Sequence, residues 1–169
     1  MVRLGVRPGT ARALDVSDWR DGWLMIAKAA KGGNANAEIR GTKTARVCRL
    51  PIAEIAPDLE DWLQAHVRPA DLLRGRVPLF QNPAAHNDEK RWLHTALDRN
   101  WAAACKTVGV KVGLYEGTKH SLGTALVSDG VDERVVQKLF GHADVRSTRR
   151  YVVLSDQGMI DASKRRRDS

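Results

Sequence analysis

The sequence predicts an α+β domain: a small antiparallel sheet near the start and a mainly helical body after it. Two observations carry this prediction. Between Trp19 and Pro51 short apolar runs are broken by turn residues, as in "GWLMIAK" followed by "KGGN". From Ile52 onward the apolar residues recur at helical spacings instead.

The elements follow in order. Pro8 to Leu14 reads as a short helix, with Pro8 suited to its first position. "GWLMIAK", "AEIRGTKT" and "RVCRLPI" read as strands, and together predict a three-stranded antiparallel sheet over Trp19 to Pro51. Ile52, Ile55, Leu59, Leu63 and Val67 form an amphipathic stripe, and Pro57 within it predicts either a kink or a helix start. Arg68 to Ala85, with three prolines, reads as a long connection around the apolar stretch Val77 to Phe80. Helices are predicted in "EKRWLHTALDRNWAAACKTV", in "TKHSLGTALVSD" ending at Gly130, and in "DERVVQKLF" between an Asp132 cap and Gly141. Ser155 or Asp156 is placed to cap a last helix. The five tryptophans (19, 23, 62, 92 and 101) fall on apolar stripes or strand starts and read as core.

At 169 residues the chain fits one domain with a sizeable core. It has no apolar run of membrane-spanning length and no secretory leader pattern, which argues against a membrane partner and for the cytoplasm. Cys48 and Cys105 lie far apart without paired spacing, so they read as two buried free thiols rather than a disulfide or zinc site. The net charge of +8 points to a polyanion, most often nucleic acid. Basic residues gather at Arg134, Arg146, Arg149 and Arg150, and again at Lys164 to Arg167.

The chemistry-bearing stretch is "LFGHADVRSTRRY", where Tyr151 follows His142 by nine positions among arginines. A tyrosine attacking a phosphodiester needs cations to offset the charge of the transition state, and a proton acceptor or donor nearby. His142 suits either proton role. Alone, a capping glycine, a hydrogen-bonded histidine and a core aromatic explain the same residues.

"TKHSLGTALVSDGVDERVVQKLFGHADVRSTRRY" resembles the tyrosine recombinase (phage integrase) catalytic domain, in which "LLGH" precedes a nucleophilic tyrosine by this spacing. "GVRPGTARALDVSDW" is similar to that family's first arginine box, which puts Arg7 on the first catalytic arginine, with Thr10 in place of the usual glutamate. "GTKTARVCRLP" is similar to its β-hairpin lysine segment, which puts Lys43, eight residues before Pro51, on the catalytic lysine. The third box departs from the pattern. Starting it at His120 would put Gly123 at the second arginine and leave too few residues before Gly141. Starting it at Glu116 keeps the spacing, with Glu116 in place of a histidine and Lys119 in place of the phosphate-clamping arginine. Lysine offers a single compact charge where arginine offers a planar fork, and a carboxylate at position 116 repels a phosphate unless protonated or paired, for instance with Lys119.

The resemblance implies site-specific DNA recombination or integration through a 3′-phosphotyrosyl intermediate, with no metal, nucleotide cofactor or small-molecule substrate. Tyr151 would attack, Arg7, Lys119 and His142 would hold the phosphate, and Lys43 would protonate the leaving oxygen. Double-stranded DNA is the implied partner, in the nucleoid, with self-association into a tetramer through residues 155–169. The family's core-binding domain and leading helix have no counterpart in these residues, which form one catalytic-type domain over 1–169. The substitutions in the third box imply impaired catalysis. The alternative is a non-catalytic DNA-binding remnant or regulator derived from an integrase.

Overall fold

The computed structural model describes residues 1, 3–32, 38–41, 47–86 and 90–140. Helix α1, Pro8–Ala13, begins with proline at its first position and is capped by extended Arg7, as proline's fixed φ and missing N–H favour. A 3-10 turn over Val16–Asp18 leads into β1, Trp19–Arg20, and β2, Trp23–Ile26.

The sheet region differs from expectation in its connections. Strand β3, Lys28–Lys31, pairs with β4, Glu38–Gly41, as a separate two-stranded ladder. The three-stranded antiparallel sheet is β1-β2-β5, with β5 spanning Cys48–Pro51. Ile26 stands opposite Cys48, whereas Lys28 stands opposite Gly41. Between these two pairs the sequence has one residue on one side, Ala27, and six on the other, 42–47, and the one expected sheet is two ladders. Strand β2 alternates exposed and buried residues, so that Leu24 and Ile26 enter the core while Trp23 and Met25 face outward.

Helix α2, Ile52–Ile55, is a single turn, and α3, Pro57–His66, starts at the proline that the sequence marks as kink or start. The long connection contains one short helix, α4, Pro69–Leu72. Its apolar stretch is pinned to the segment after α1: Val16 N donates to Val77 O at 2.8 Å and Leu79 N to Leu14 O at 2.9 Å. Leu4, Leu14, Leu24, Leu50, Ile52, Leu63 and Leu79 form the main core.

The helical part continues with α5, His94–Thr107, a π turn over Glu116–His120, α6, Ser121–Ser128, and α7, Glu133–Leu139. Asp132 caps α7 by accepting from Arg134 N at 2.7 Å. Val136 and Phe140 make a second, smaller core with Leu122 and Leu126, and Leu139 touches both cores.

The tryptophans correct the core expectation: Trp23 is 39% and Trp62 40% exposed. The exposed rings find surface partners instead. Arg49 lies 5.0 Å from the Trp23 ring centroid, and Trp62 stacks on His66 at 4.4 Å. Both cysteines are free, Cys105 buried and Cys48 only half-buried.

Candidate active site

Arg7 stands at the N-cap of α1 with an exposed side chain, and its carbonyl accepts from Ala11 N at 3.0 Å. Two residues earlier the chain makes a left-handed turn at Gly5, φ 58°, where a Cβ would lie 2.2 Å from the Phe140 ring. Only glycine allows that approach. It brings the end of α7 against the segment leading to Arg7.

Lys119 comes to the same place from the opposite end of the sequence. It is 2% exposed, and its Nζ donates to Phe140 O at 3.3 Å and lies 4.7 Å from the Phe140 ring centroid. Phe140 is the C-cap of α7, so the ammonium sits at the negative end of that helix. Burial, and after it the charge of the Arg7 guanidinium, together lower the Lys119 pKa to about 8, with the Cys48 thiol working the other way. No carboxylate pairs with Lys119 among the described residues.

The expected partnership between Glu116 and Lys119 is therefore absent. Glu116 is exposed, its carboxylate lying over Gly113. The π turn supplies the reason. His120 N reaches back to Tyr115 O at 3.4 Å, and in so wide a turn successive residues rotate by less than the ~100° of an α-helix. Residues three apart, neighbours on an α-helix, diverge: one points to solvent and the other to the interior.

Arg7 and Lys119 are thus brought together. Lys43, His142 and Tyr151 lie outside the described residues, as do Arg146, Arg149 and Arg150. Sequence reasoning missed Phe140 and Cys48 as the immediate surroundings of Lys119. The only available signal was that Phe140 precedes Gly141 and His142. Among the described residues no cluster of His, Cys, Asp and Glu is arranged to hold a metal ion, and no helix is long and apolar enough to cross a membrane.

Taken together, the small antiparallel sheet and the helical body define the catalytic-domain fold of the tyrosine recombinases. The Tn1549 transposon integrase, solved in complex with a circular intermediate DNA, superposes with a TM-score of 0.71 at 14% identity, over 97% of this chain and 55% of that one. The XerA recombinase superposes with a TM-score of 0.59 at 19% identity, over 98% and 54%. The model of the phage integrase family matches residues 1–157, and the chain belongs to that family. Among curated relatives, the tyrosine recombinase XerD of Lacticaseibacillus casei is 29% identical over 113 residues, 64% of this chain and 38% of its own length. A tyrosine recombinase of Thermosipho africanus is 30% identical over 99 residues, 56% and 32%. The matched part thus spans about a third of the length of these relatives.

Proposed function

We propose that the chain carries the strand-breaking and rejoining chemistry of site-specific recombination or integration on double-stranded DNA. The observation that supports it is the convergence of Arg7 and Lys119 at the end of α7, within a family match that extends past Tyr151. In this reading the phosphate enters beside Arg7 and Lys119, and its charge draws the Lys119 ammonium fully into its protonated form. Tyr151 attacks phosphorus, and His142 supports the phosphate and takes the phenol proton. Lys43 gives a proton to the departing 5′ oxygen, leaving a 3′-phosphotyrosyl link. Residues 155–169 serve for docking on a neighbouring copy in a DNA-bound tetramer.

A second reading, a DNA-binding regulator without chemistry, draws on one observation. Lys119 is spent on the Phe140 carbonyl and ring rather than presented to solvent.

A nicked suicide substrate separates the two. A covalent protein–DNA adduct on a denaturing gel, lost in Tyr151→Phe, is expected. Binding without an adduct supports the regulator. Glu116→His with Lys119→Arg should raise the adduct yield. A gain from Gly123→Arg instead would overturn the alignment of the third box. Affinity should fall steeply with salt in either reading, because phosphate contacts release counterions.

A further inference from the structure

Among the described residues, the densest charge cluster lies away from Lys119, around Asp15. Asp15 sits just beyond α1, with its side chain 6% exposed, and accepts from Arg91 Nη2 at 2.6 Å. Its other oxygen pairs with Lys28 Nζ, which also meets Asp18 Oδ2 at 2.9 Å. Arg91 Nη1 donates to Arg12 O at 2.8 Å. Arg12 in turn donates to Gly32 O at 3.1 Å and to Trp92 O at 2.9 Å. Strand β3 is thereby held at both ends, by Lys28 at its start and through Gly32 just past its finish. Between them, a Cβ on Gly9 of α1 would lie 2.8 Å from Ala30 O, so helix and strand touch backbone to backbone.

The place of this clamp in the ladder matters. Lys28 stands opposite Gly41, the last paired residue before the chain leaves the ladder, and Lys43 follows two positions later. Arg7 caps the same α1 whose far end leads into Asp15. One rigid unit therefore carries both the first arginine and the point from which the chain departs toward the lysine.

We propose that the Asp15–Lys28–Asp18 cluster is a positioning device for proton donation: by fixing β3 against α1 it sets the departure point of the Lys43 segment relative to Arg7. The inference rests on the reading of Lys43 as the proton donor. In that step the Tyr151 oxygen forms a bond to phosphorus and the phenol proton passes to His142. The P–O5′ bond breaks and its electron pair leaves on O5′, which takes a proton from Lys43. A bridging sulfur at the same position leaves as a thiolate and needs no proton, so a misplaced donor harms the oxygen substrate alone.

The test is single-turnover cleavage by the full chain of two nicked substrates, one with O5′ and one with a bridging 5′ sulfur. Lys43→Ala should slow the oxygen substrate by about 100-fold, the ordinary contribution of a general acid, and leave the sulfur substrate near wild type. Lys28→Met should slow the oxygen substrate by about 10-fold, as a displaced catalytic group does, with the sulfur substrate again little changed. If Lys43→Ala is rescued by sulfur and Lys28→Met is slowed equally on both, the positioning role is overturned while the reading of Lys43 stands. If sulfur fails to rescue Lys43→Ala, or the wild type forms no adduct, that reading fails and the inference falls with it. Should Lys28→Met not fold, Asp18→Asn loosens the hold on Lys28 while leaving Asp15 bound to Arg91, and the same oxygen-to-sulfur contrast decides.

Discussion

Two buried or half-buried lysines invite comparison. Lys28 meets two carboxylates. Burial alone would lower its pKa, but the hydrogen bonds it donates to Asp15 and Asp18, and their charges, outweigh this and raise it. Lys119 meets a carbonyl and an aromatic face, and burial, followed by a repelling arginine, drops its pKa to about 8. The first lysine is neutralised within the protein and its charge is used up in architecture. The second has no carboxylate partner among the described residues, an arrangement that disfavours the empty protein and suits one awaiting an anion.

The largest expected effect comes from removing the compensation. Asp15→Ala takes from Arg91 and Lys28 the carboxylate they share in a poorly solvated cluster and should cost about 3–5 kcal/mol of stability, read as a lowered urea midpoint. A loss no larger than that of an ordinary surface substitution would show that water reaches the cluster, and would erase the contrast.

Lys119→Met should behave in the opposite way. Removing a buried charge without a carboxylate partner should leave stability at neutral pH unchanged or raised by about 1 kcal/mol, while DNA affinity falls. The pH dependence sharpens this. The folded chain releases the Lys119 proton near pH 8 and the unfolded chain near 10.5, so between these values the unfolded state binds more protons and alkali favours the native state. Wild-type stability should carry a rising contribution over that window, absent in Lys119→Met. Lys28 contributes with the reverse sign: its folded pKa lies above 10.5, and its stabilisation is lost as the pH climbs past that value. Urea midpoints across pH 8 to 10.5 for both proteins check it, and identical slopes would refute it.

The smallest effect tests the platform that holds Lys119 in place. Asp132→Ala removes the cap of α7 and should cost about 1 kcal/mol. Because α7 presents the Phe140 carbonyl, the variant should also lower DNA affinity more than a cap lost elsewhere would. Equal affinity in the variant would place the helix outside the site.

How far all this was legible in the sequence depended on the range of the interaction. Pro8, Pro57 and Asp132 mark their helices because proline geometry and capping act within one turn. The pairing of Arg7 with Lys119 was legible only through family resemblance, since 112 positions separate them (119 minus 7). The Asp15–Arg91 pair leaves no local trace, because nothing near Asp15 announces a partner 76 residues on. The Glu116–Lys119 expectation failed for another reason: it assumed α-helical rotation where the chain makes a π turn. The tryptophans misled because a large ring on an apolar stripe fits a half-exposed seat as well as a buried one.

The mismatch between the two ladders has a consequence for how this protein can vary. Ile26–Cys48 and Lys28–Gly41 are each secured on their own side. A residue inserted within β2 or β5 would turn every following side chain to the wrong face. The pairs that hold the two described ladders all lie outside residues 42–46. Adding or deleting a residue there would change the reach of the segment around Lys43 while leaving both ladders in register.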